Sequence, residues 1–393
     1  MKVLFVLHQT ILMGGGTKSF KVMLKGLMQK GVEPVVAMPD HQGVYREIAG
    51  LNIRTIVVPF RDNTYPWVRS VTDVLLFLPR IVVHGMMNAY AVAKITHEAR
   101  QAGVEMVHTN VSVCSIGFRV SRRLGIPHVY HIREYADLDF DLHFFPTRGS
   151  YLRKLSSPSS FNICITKDIQ RHFGQTGNRC SRVIYNGIQP SEKELPVGEK
   201  ENYFLYAGRV IAAKGVSELV EAYSAYLGKT RHSMPLYIVG EQPDAVFLNM
   251  LKNYIEQHHM GGHVSLFGQR SDVRELMKHA RAIIIPSRNE GFGRCMPEAM
   301  FCGCLTVGRN TGGTCEQMDN GLALTGGEIS LRYDTEEQLT QILLEVSENS
   351  MSYYAPWIER AFRTVNQLYT AESNVDSVYE FYLEIMKSER ERR

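Results

Sequence analysis

No apolar run in this chain reaches the roughly 18–20 residues that a membrane crossing needs. The nearest approach, "VLLFLPRIVV", is interrupted by Pro79 and Arg80. The opening "MKVLFVLHQT" is too short an apolar stretch for a secretory signal and reads as a first strand. Cysteine is sparse: seven residues, scattered and odd in number. That excludes a disulfide framework and argues for a reduced, cytoplasmic protein. Four thiols lie near one another in sequence, Cys295, Cys302, Cys304 and Cys315. They lack the spacing of paired C-x2-C zinc knuckles, so small buried thiols are their expected use. There is no short-period repeat and no low-complexity tract. Two phosphate-binding signatures are also missing: no Gly-Lys-Ser/Thr unit completes a Walker A loop, and no G-x-G-x-x-G follows a strand.

What is present is ordinary in bulk and uneven in detail. At 393 residues the chain is too long for one typical core, and two domains are expected. Hydrophobic residues make up 44% and charged residues 21%, as in a globular protein. The net charge of +4 hides an asymmetry. Residues 1–190 carry 23 Lys+Arg against 12 Asp+Glu, and the remainder carries 21 against 28. A basic half points toward something anionic: a nucleic acid, an anionic membrane surface or an anionic lipid-linked substrate. Plain solvation of the charges accounts for it equally well.

Short, fully apolar segments alternate with segments of helical spacing. "KVLFVL", "PVVAMP", "TIVVPF", "EMVHTN", "HVYHIR", "FNICIT" and "RVIYNG" read as strands of a first domain. The pattern restarts with "YFLYAGR", "MPLYIVG", "VSLFG", "AIIIPS" and "CLTVG". Strands without alternation, separated by helices, argue for parallel sheets covered on both faces. The expected fold class is therefore α/β: two doubly wound, Rossmann-like domains with a cleft between them. The expected division is 1–190 and 191–367, with a linker near "NGIQPSEKELPVGEKEN". An amphipathic C-terminal helix, 368–393, is expected to pack back on the first domain.

In such sheets ligands sit beyond the carboxyl ends of the strands, so the loops there carry the chemistry. After the first strand comes "HQTILMGGGTKS", whose glycines and following helix start suit an anion or simply a tight turn. After the first strand of the second domain comes "AGRVIAAKGV", with Arg209 and Lys214 five positions apart. Two cations there suit a diphosphate, and two solvated surface charges are the plain alternative. The segment "SRNEGFGRCMPEAM" sets Glu290 on a glycine loop, with Pro297 at the first position of a helix and Glu298 in its first turn. Carboxylates of this kind accept hydrogen bonds from sugar hydroxyls. A favourable helix-dipole charge is the plainer reading of Glu298.

Taken in order, these residues resemble the retaining glycosyltransferase family 4, whose members have the two-domain GT-B fold. The motifs are the Glu-x7-Glu pair Glu290 and Glu298, "GRVIAAKG", the inter-domain "VIYNGIQ", the Gly-Gly loop "RNTGGTCEQM" and the N-terminal glycine loop. The resemblance implies transfer of a sugar from a UDP- or GDP-sugar to a saccharide acceptor. It assigns Arg209 and Lys214 to the diphosphate, Glu290 to the donor sugar and Glu298 to the ribose. Gly291, Phe292 and Gly293 offer backbone amides to sugar and phosphate. Gly15 and Gly16 approach the phosphates. His131, in "HVYHIREY", faces the donor sugar, and Gln269 and Arg270 lie near the base. No metal, no cofactor beyond the nucleotide-sugar substrate and no nucleic-acid partner are implied. One departure is the sequence after the histidine: many members have His-Asp, and this chain has Ile132. The other histidines, His8, His108 and His128, are expected to be packed or satisfied locally.

The segment "TYPWVRSVTDVLLFLPRIVVHGMMNAY" mixes apolar residues with Arg69 and Arg80. It reads either as a helix packed on the sheet or as a membrane-interface patch. The second reading fits a lipid-linked acceptor in surface polysaccharide synthesis, with the protein cytoplasmic and peripheral on the inner face of the cell membrane. A nucleotide-sugar epimerase and a non-catalytic sugar-nucleotide sensor are the competing functions on the same fold. A phosphorylase would be longer and would hold pyridoxal phosphate on a lysine, for which no motif exists.

Overall fold

In the computed structural model the described residues are all except 12–13, 67, 69, 196–198 and 393. Arg69 therefore lies outside the described residues. The chain divides into two compact units: Met1–Gln189 with Ala371–Arg393, and Pro190–Thr370.

The first unit holds β1 (Lys2–Val6), β2 (Glu33–Met38), β3 (Arg54–Val57), β4 (Met106–Thr109), β5 (His128–Ile132), β6 (Ser160–Cys164) and β7 (Ser181–Val183). They pair in the order β3-β2-β1-β4-β5-β6-β7, every pair parallel. The strand order reverses between β1 and β4, which makes their carboxyl ends the crevice of this sheet. Strand residues such as Val3, Phe5 and Val129 are fully buried because helices cover both faces.

The second unit holds β8 (Phe204–Ala207), β9 (Leu236–Val239), β10 (Val264–Gly268), β11 (Ala282–Ile285), β12 (Thr306–Arg309) and β13 (Leu331–Tyr333). Their order is β10-β9-β8-β11-β12-β13, again parallel, with the reversal between β8 and β11. The loops that follow β8 and β11 carry "GRVIAAKG" and "RNEGFG". The last strand, β13, is three residues long and gives no apolar run to read from sequence.

Two local expectations need correction. The helix Val71–Ala102 runs through Pro79 without ending. Proline removes one helical N–H, and the residue whose carbonyl is freed, Leu75, lies on an exposed turn open to solvent. By length and composition this helix is long and apolar enough to cross a membrane, contrary to the reading of "VLLFLPRIVV" as an interrupted run. In the helix Cys295–Phe301, Arg294 is the N-cap and Pro297 sits at the third position, not the first. The first turn has no i−4 partners for its N–H groups, so proline costs nothing there either.

The C-terminal helix Ala371–Arg392 packs on the helix Gly15–Gln29. At the crossing stands Gly26, where a Cβ would lie 2.3 Å from Cγ2 of Val375. Gly26→Ala is expected to lose about 1–3 kcal/mol to overpacking. That exceeds the roughly 0.5–1 kcal/mol an alanine gains in helix propensity. In a double-mutant cycle, Val375→Ala should relieve the clash and show a favourable coupling with Gly26→Ala in urea unfolding. Strict additivity would refute the contact.

Candidate active site

In the second unit glycines bring three loops into backbone contact. Gly215 has φ +69, and a Cβ there would lie 2.1 Å from the carbonyl oxygen of Pro286. The loop after β8 is thus pressed onto the end of β11. Between Gly208 and Gly215 the chain makes a 3-10 turn, Ala212–Lys214, before the helix Val216–Leu227 begins. Tyr206 steadies the start of the loop by donating its hydroxyl to the Arg209 carbonyl at 2.7 Å. The result is that Lys214 Nζ meets Glu290 Oε2 at 2.7 Å, with both side chains only 20% exposed. Charges this sheltered are weakly screened, and removing one partner strands the other.

The loop carrying Glu290 is clamped from behind by the helix Gly312–Thr325. Gly313 N donates to Glu290 O at 2.7 Å, and a Cβ on Gly313 would lie 2.7 Å from Phe292 Cα. Gln317 Nε2 donates to the Phe292 carbonyl. The Phe292 ring is buried edge-on against Tyr369. Gly293 takes φ +77, and a Cβ there would press on Glu290 Cγ at 2.9 Å.

Glu298 pairs with Arg294, whose Nη2 lies 3.0 Å from its Oε1. Between the two glutamates lies Cys295. Burial pushes its thiol up, and Glu298 and then Glu290 push it further while Lys214 opposes them. Both carboxylates therefore bear on one small region. The buried phenol of Tyr206 is also raised by burial, with Glu290 adding and Arg209 opposing, so Arg209 belongs to the same field. Gln269 and Arg270 stand apart from this group, after β10 at the sheet edge. Arg270 grips Asp272 with two bonds, Nε to Oδ1 at 2.8 Å and Nη2 to Oδ2 at 2.5 Å. All seven cysteines are free. Burial pushes the Cys304 thiol up to about 12, which suits packing and not ligation.

In the first unit Gly14 caps the helix that Gly15 and Gly16 begin. Arg133 lies across that start, its Cδ 3.7 Å from a Cβ built on Gly16. The same guanidinium donates to Asn110 Oδ1 at 2.9 Å and to Asn186 Oδ1 at 2.5 Å. It also reaches His131 Nδ1 at 3.2 Å. An arginine only donates, so Nδ1 accepts and the His131 proton belongs on Nε2. His108 Nε2 lies 3.2 Å from the same Nδ1, and His108 Nδ1 is 2.5 Å from the hydroxyl of Tyr382. The chain of donors runs from Tyr382 through His108 to His131. His131 is fully buried, and its Nε2 has no hydrogen-bond partner among the described residues. Burial, then Arg133 and His108, hold this imidazole well below its usual range, so it is neutral. His128 bonds Thr109 Oγ1 at 2.7 Å. Sequence reasoning missed Arg133, Tyr382, Arg294 and Gln317. Only Arg133 had a signal, as the cation two residues past the histidine.

Two family models match this chain. "Glycosyl transferases group 1" covers residues 188–363, and "Glycosyltransferase Family 4" covers residues 13–192. Together they span most of the sequence, and the chain belongs to the group 1, family 4 glycosyltransferases. An uncharacterized glycosyltransferase of Methanocaldococcus jannaschii is 24% identical over 66% of this chain and 70% of its own length. The lipopolysaccharide glucosyltransferase WaaG of Escherichia coli is 26% identical over 49% of this chain and 53% of its own length. The N-acetyl-alpha-D-glucosaminyl L-malate synthase of Bacillus anthracis is 24% identical, and the match likewise spans half of that relative. Among solved structures, Anabaena HepE in complex with UDP has a TM-score of 0.75 at 18% identity, over 98% of this chain and all of that one. The sucrose-phosphate synthase of Thermosynechococcus elongatus has a TM-score of 0.71 at 14% identity, over 99% of this chain and all of that one. The fold is GT-B: α/β, with two doubly wound parallel sheets.

The buried histidines generate a pH dependence. Burial is the first cause of depression in His108, His128 and His131, and it pushes His128 down to about 3. In the unfolded chain each returns to about 6.5. Between the folded and unfolded values the unfolded state binds more protons, so stability rises with pH and is lost as pH falls below about 6.5. Each histidine contributes up to about 1.4 kcal/mol per pH unit in that window. The urea midpoint should fall between pH 7 and pH 5, and His128→Asn should shallow the slope. An unchanged slope in that variant would contradict the assignment.

Proposed function

We propose that this chain moves a sugar, with retention, from a nucleotide-diphosphate donor to a lipid-linked saccharide acceptor in bacterial surface polysaccharide synthesis, without a metal. The observation that carries the donor half is the Lys214–Glu290 pair at the crevice of the second sheet. A diphosphate brings two negative charges and draws Lys214 and Arg209 to its oxygens. Glu290 is then released to accept hydrogen bonds from the donor sugar. Free of substrate, the cation and the carboxylate satisfy each other, and the donor separates them into their two tasks.

The other roles follow the same chemistry. The backbone amides of Gly291, Phe292 and Gly293 address sugar and phosphate, and Glu298 addresses the ribose. Gln269 and Arg270 are assigned to the base. In the first unit, Gly15 and Gly16 are assigned to phosphate, and the Nε2–H of His131 to a hydroxyl of the donor sugar. In the transfer step the bond from the anomeric carbon to the diphosphate oxygen breaks. A bond from the acceptor oxygen to that carbon forms on the same face. The acceptor proton passes to the leaving phosphate, whose charge Lys214 and Arg209 stabilise. The UDP and UDP-glucose complexes of HepE support a nucleotide-sugar donor for this fold.

A thermal-shift panel of UDP, GDP, ADP and their sugar conjugates, run without metal, tests the reading. One nucleotide family should raise the melting temperature. Lys214→Ala should lose that shift. Glu290→Ala should keep the nucleotide shift and lose transfer by about 10²-fold or more. Absence of any shift in folded protein, or full turnover in Glu290→Ala, would refute the proposal.

A further inference from the structure

The helix Val71–Ala102 has two halves that behave differently. From Asn88 onward it is a core helix, with Ala91, Val92, Ile95 and Ala99 buried and the helix Ile116–Leu124 packed against it. Before Asn88 its outer side is apolar and bare. Val71, Leu75, Leu78, Val82, Met86 and Tyr90 recur at intervals of three and four, so they form one stripe. They are 79%, 74%, 71%, 60%, 69% and 63% exposed. Of the twenty exposed large hydrophobic residues described in the chain, nine lie on this one helix, which marks it as a patch and not as scatter.

The helix is held along its inner side. Phe77 stacks on Tyr65 with ring centroids 5.8 Å apart. Asn88 exchanges two hydrogen bonds with the backbone of Arg61, at 2.8 and 3.0 Å. Between Val71 and Ala93 the only Lys, Arg, Asp or Glu residues are Asp73 and Arg80, and they pair with each other at 2.6 Å. The stripe therefore offers a partner no charge and little directional bonding. A fixed protein surface is recognised by such polar groups around an apolar centre, whereas a bilayer asks only for apolar area with cations nearby.

Cations lie on the helix that packs against this one. Arg119, Arg122 and Arg123 lie on the packed helix Ile116–Leu124, and Lys154 stands close enough to Arg119 to feel its charge. Arg61 and Arg80 both act on His84, midway along the exposed half. None of Arg119, Arg122, Arg123 and Lys154 forms an ion pair among the described residues. That leaves them for headgroup phosphates, and residues 1–190 as a whole are basic.

We propose that the exposed face Val71–Tyr90 lies in the plane of an anionic lipid bilayer, its apolar stripe at the acyl boundary and the neighbouring arginines and lysine on the headgroups. The buried half of the helix anchors this contact to the first unit and prevents the helix from being drawn out to span. An open cavity of about 690 Å³ meets the same helix at Phe77, on its inner side, and is walled also by Tyr65, Pro66, Val68, Asp141, Leu142 and His143. Its aromatic and imidazole lining is of the kind that holds a sugar ring, so a saccharide on a bilayer lipid would be met beside the docking face. Only that last step rests on the transferase reading; the docking face does not.

The test is co-sedimentation with vesicles of phosphatidylcholine alone and with about 30 mol% phosphatidylglycerol, using the full chain. The wild type should pellet with the anionic vesicles, and added salt should weaken it. Leu75→Glu, Leu78→Glu and Val82→Glu combined should lower the apparent partition coefficient by about tenfold or more. All three sites are exposed, so the melting temperature and any nucleotide-induced shift should be unchanged. A wild type that stays in solution with both vesicles overturns the proposal, as does a triple variant that binds equally well. A dimer that the triple variant converts to monomer, without vesicle binding, assigns the face to a second copy instead. Failure of the nucleotide shift alone would remove the transferase reading and leave this result standing.

Discussion

Backbone lying directly on backbone is the constraint from which the candidate site follows. The loop after β8 reaches Lys214 to Glu290 because Gly215 permits contact with the Pro286 carbonyl. The glutamate loop holds its path because Gly313 lets a helix start rest on it. At Gly240 the same device recurs, where a Cβ would meet the Gly208 carbonyl oxygen at 1.7 Å. A Cβ at these points would lie 1.7–2.7 Å from facing backbone atoms, so the loops could not keep these contacts unshifted. Glycine also removes conformational freedom from no neighbour, so each contact costs the folded state chiefly the ordering of the glycine itself. The charged groups then inherit their positions from atoms that carry no charge.

The two units solve different electrostatic problems. In the second, a lysine and a glutamate neutralise each other in a partly sheltered loop, a pairing that an incoming anion can exchange. In the first, His108, His128 and His131 are kept uncharged by burial, and the guanidinium of Arg133 is spread over Asn110, Asn186 and His131. Neutral imidazoles cost little to bury once bonded, and the donor order from Tyr382 through His108 fixes which nitrogen carries the proton. One unit thus stores a displaceable charge and the other an oriented dipole.

Much of this was legible from sequence, for a physical reason. Parallel strands buried on both faces need unbroken apolar runs, and "AIIIPS" or "KVLFVL" have no other reading between turn formers. Loops after such strands carry Arg209, Lys214 and Glu290, so their positions at sheet crevices could be inferred from order alone. What stayed hidden depends on separation. Tyr382 lies 274 positions from His108, and no local pattern links them. The salt bridge of Arg294 to Glu298 is only an i,i+4 spacing, common on any helix. Pro79 misled because the proline removes one helical hydrogen bond without ending the helix, and the carbonyl it frees, on Leu75, lies on an exposed turn. β13 is short enough that its pairing with β12, and not its composition, makes it a strand.

The closing helix carries a consequence for the order of events during synthesis. Tyr382, Val375, Phe381 and Ile385 complete the core of the unit that begins at Met1. On the ribosome, the sequence of the other unit emerges in full before that helix does. Domains generally fold as their sequence becomes available. The second unit can therefore close first, while the first still lacks the helix that completes its core and the tyrosine that orders its histidine pair. The part of the chain made earliest is the last to be finished.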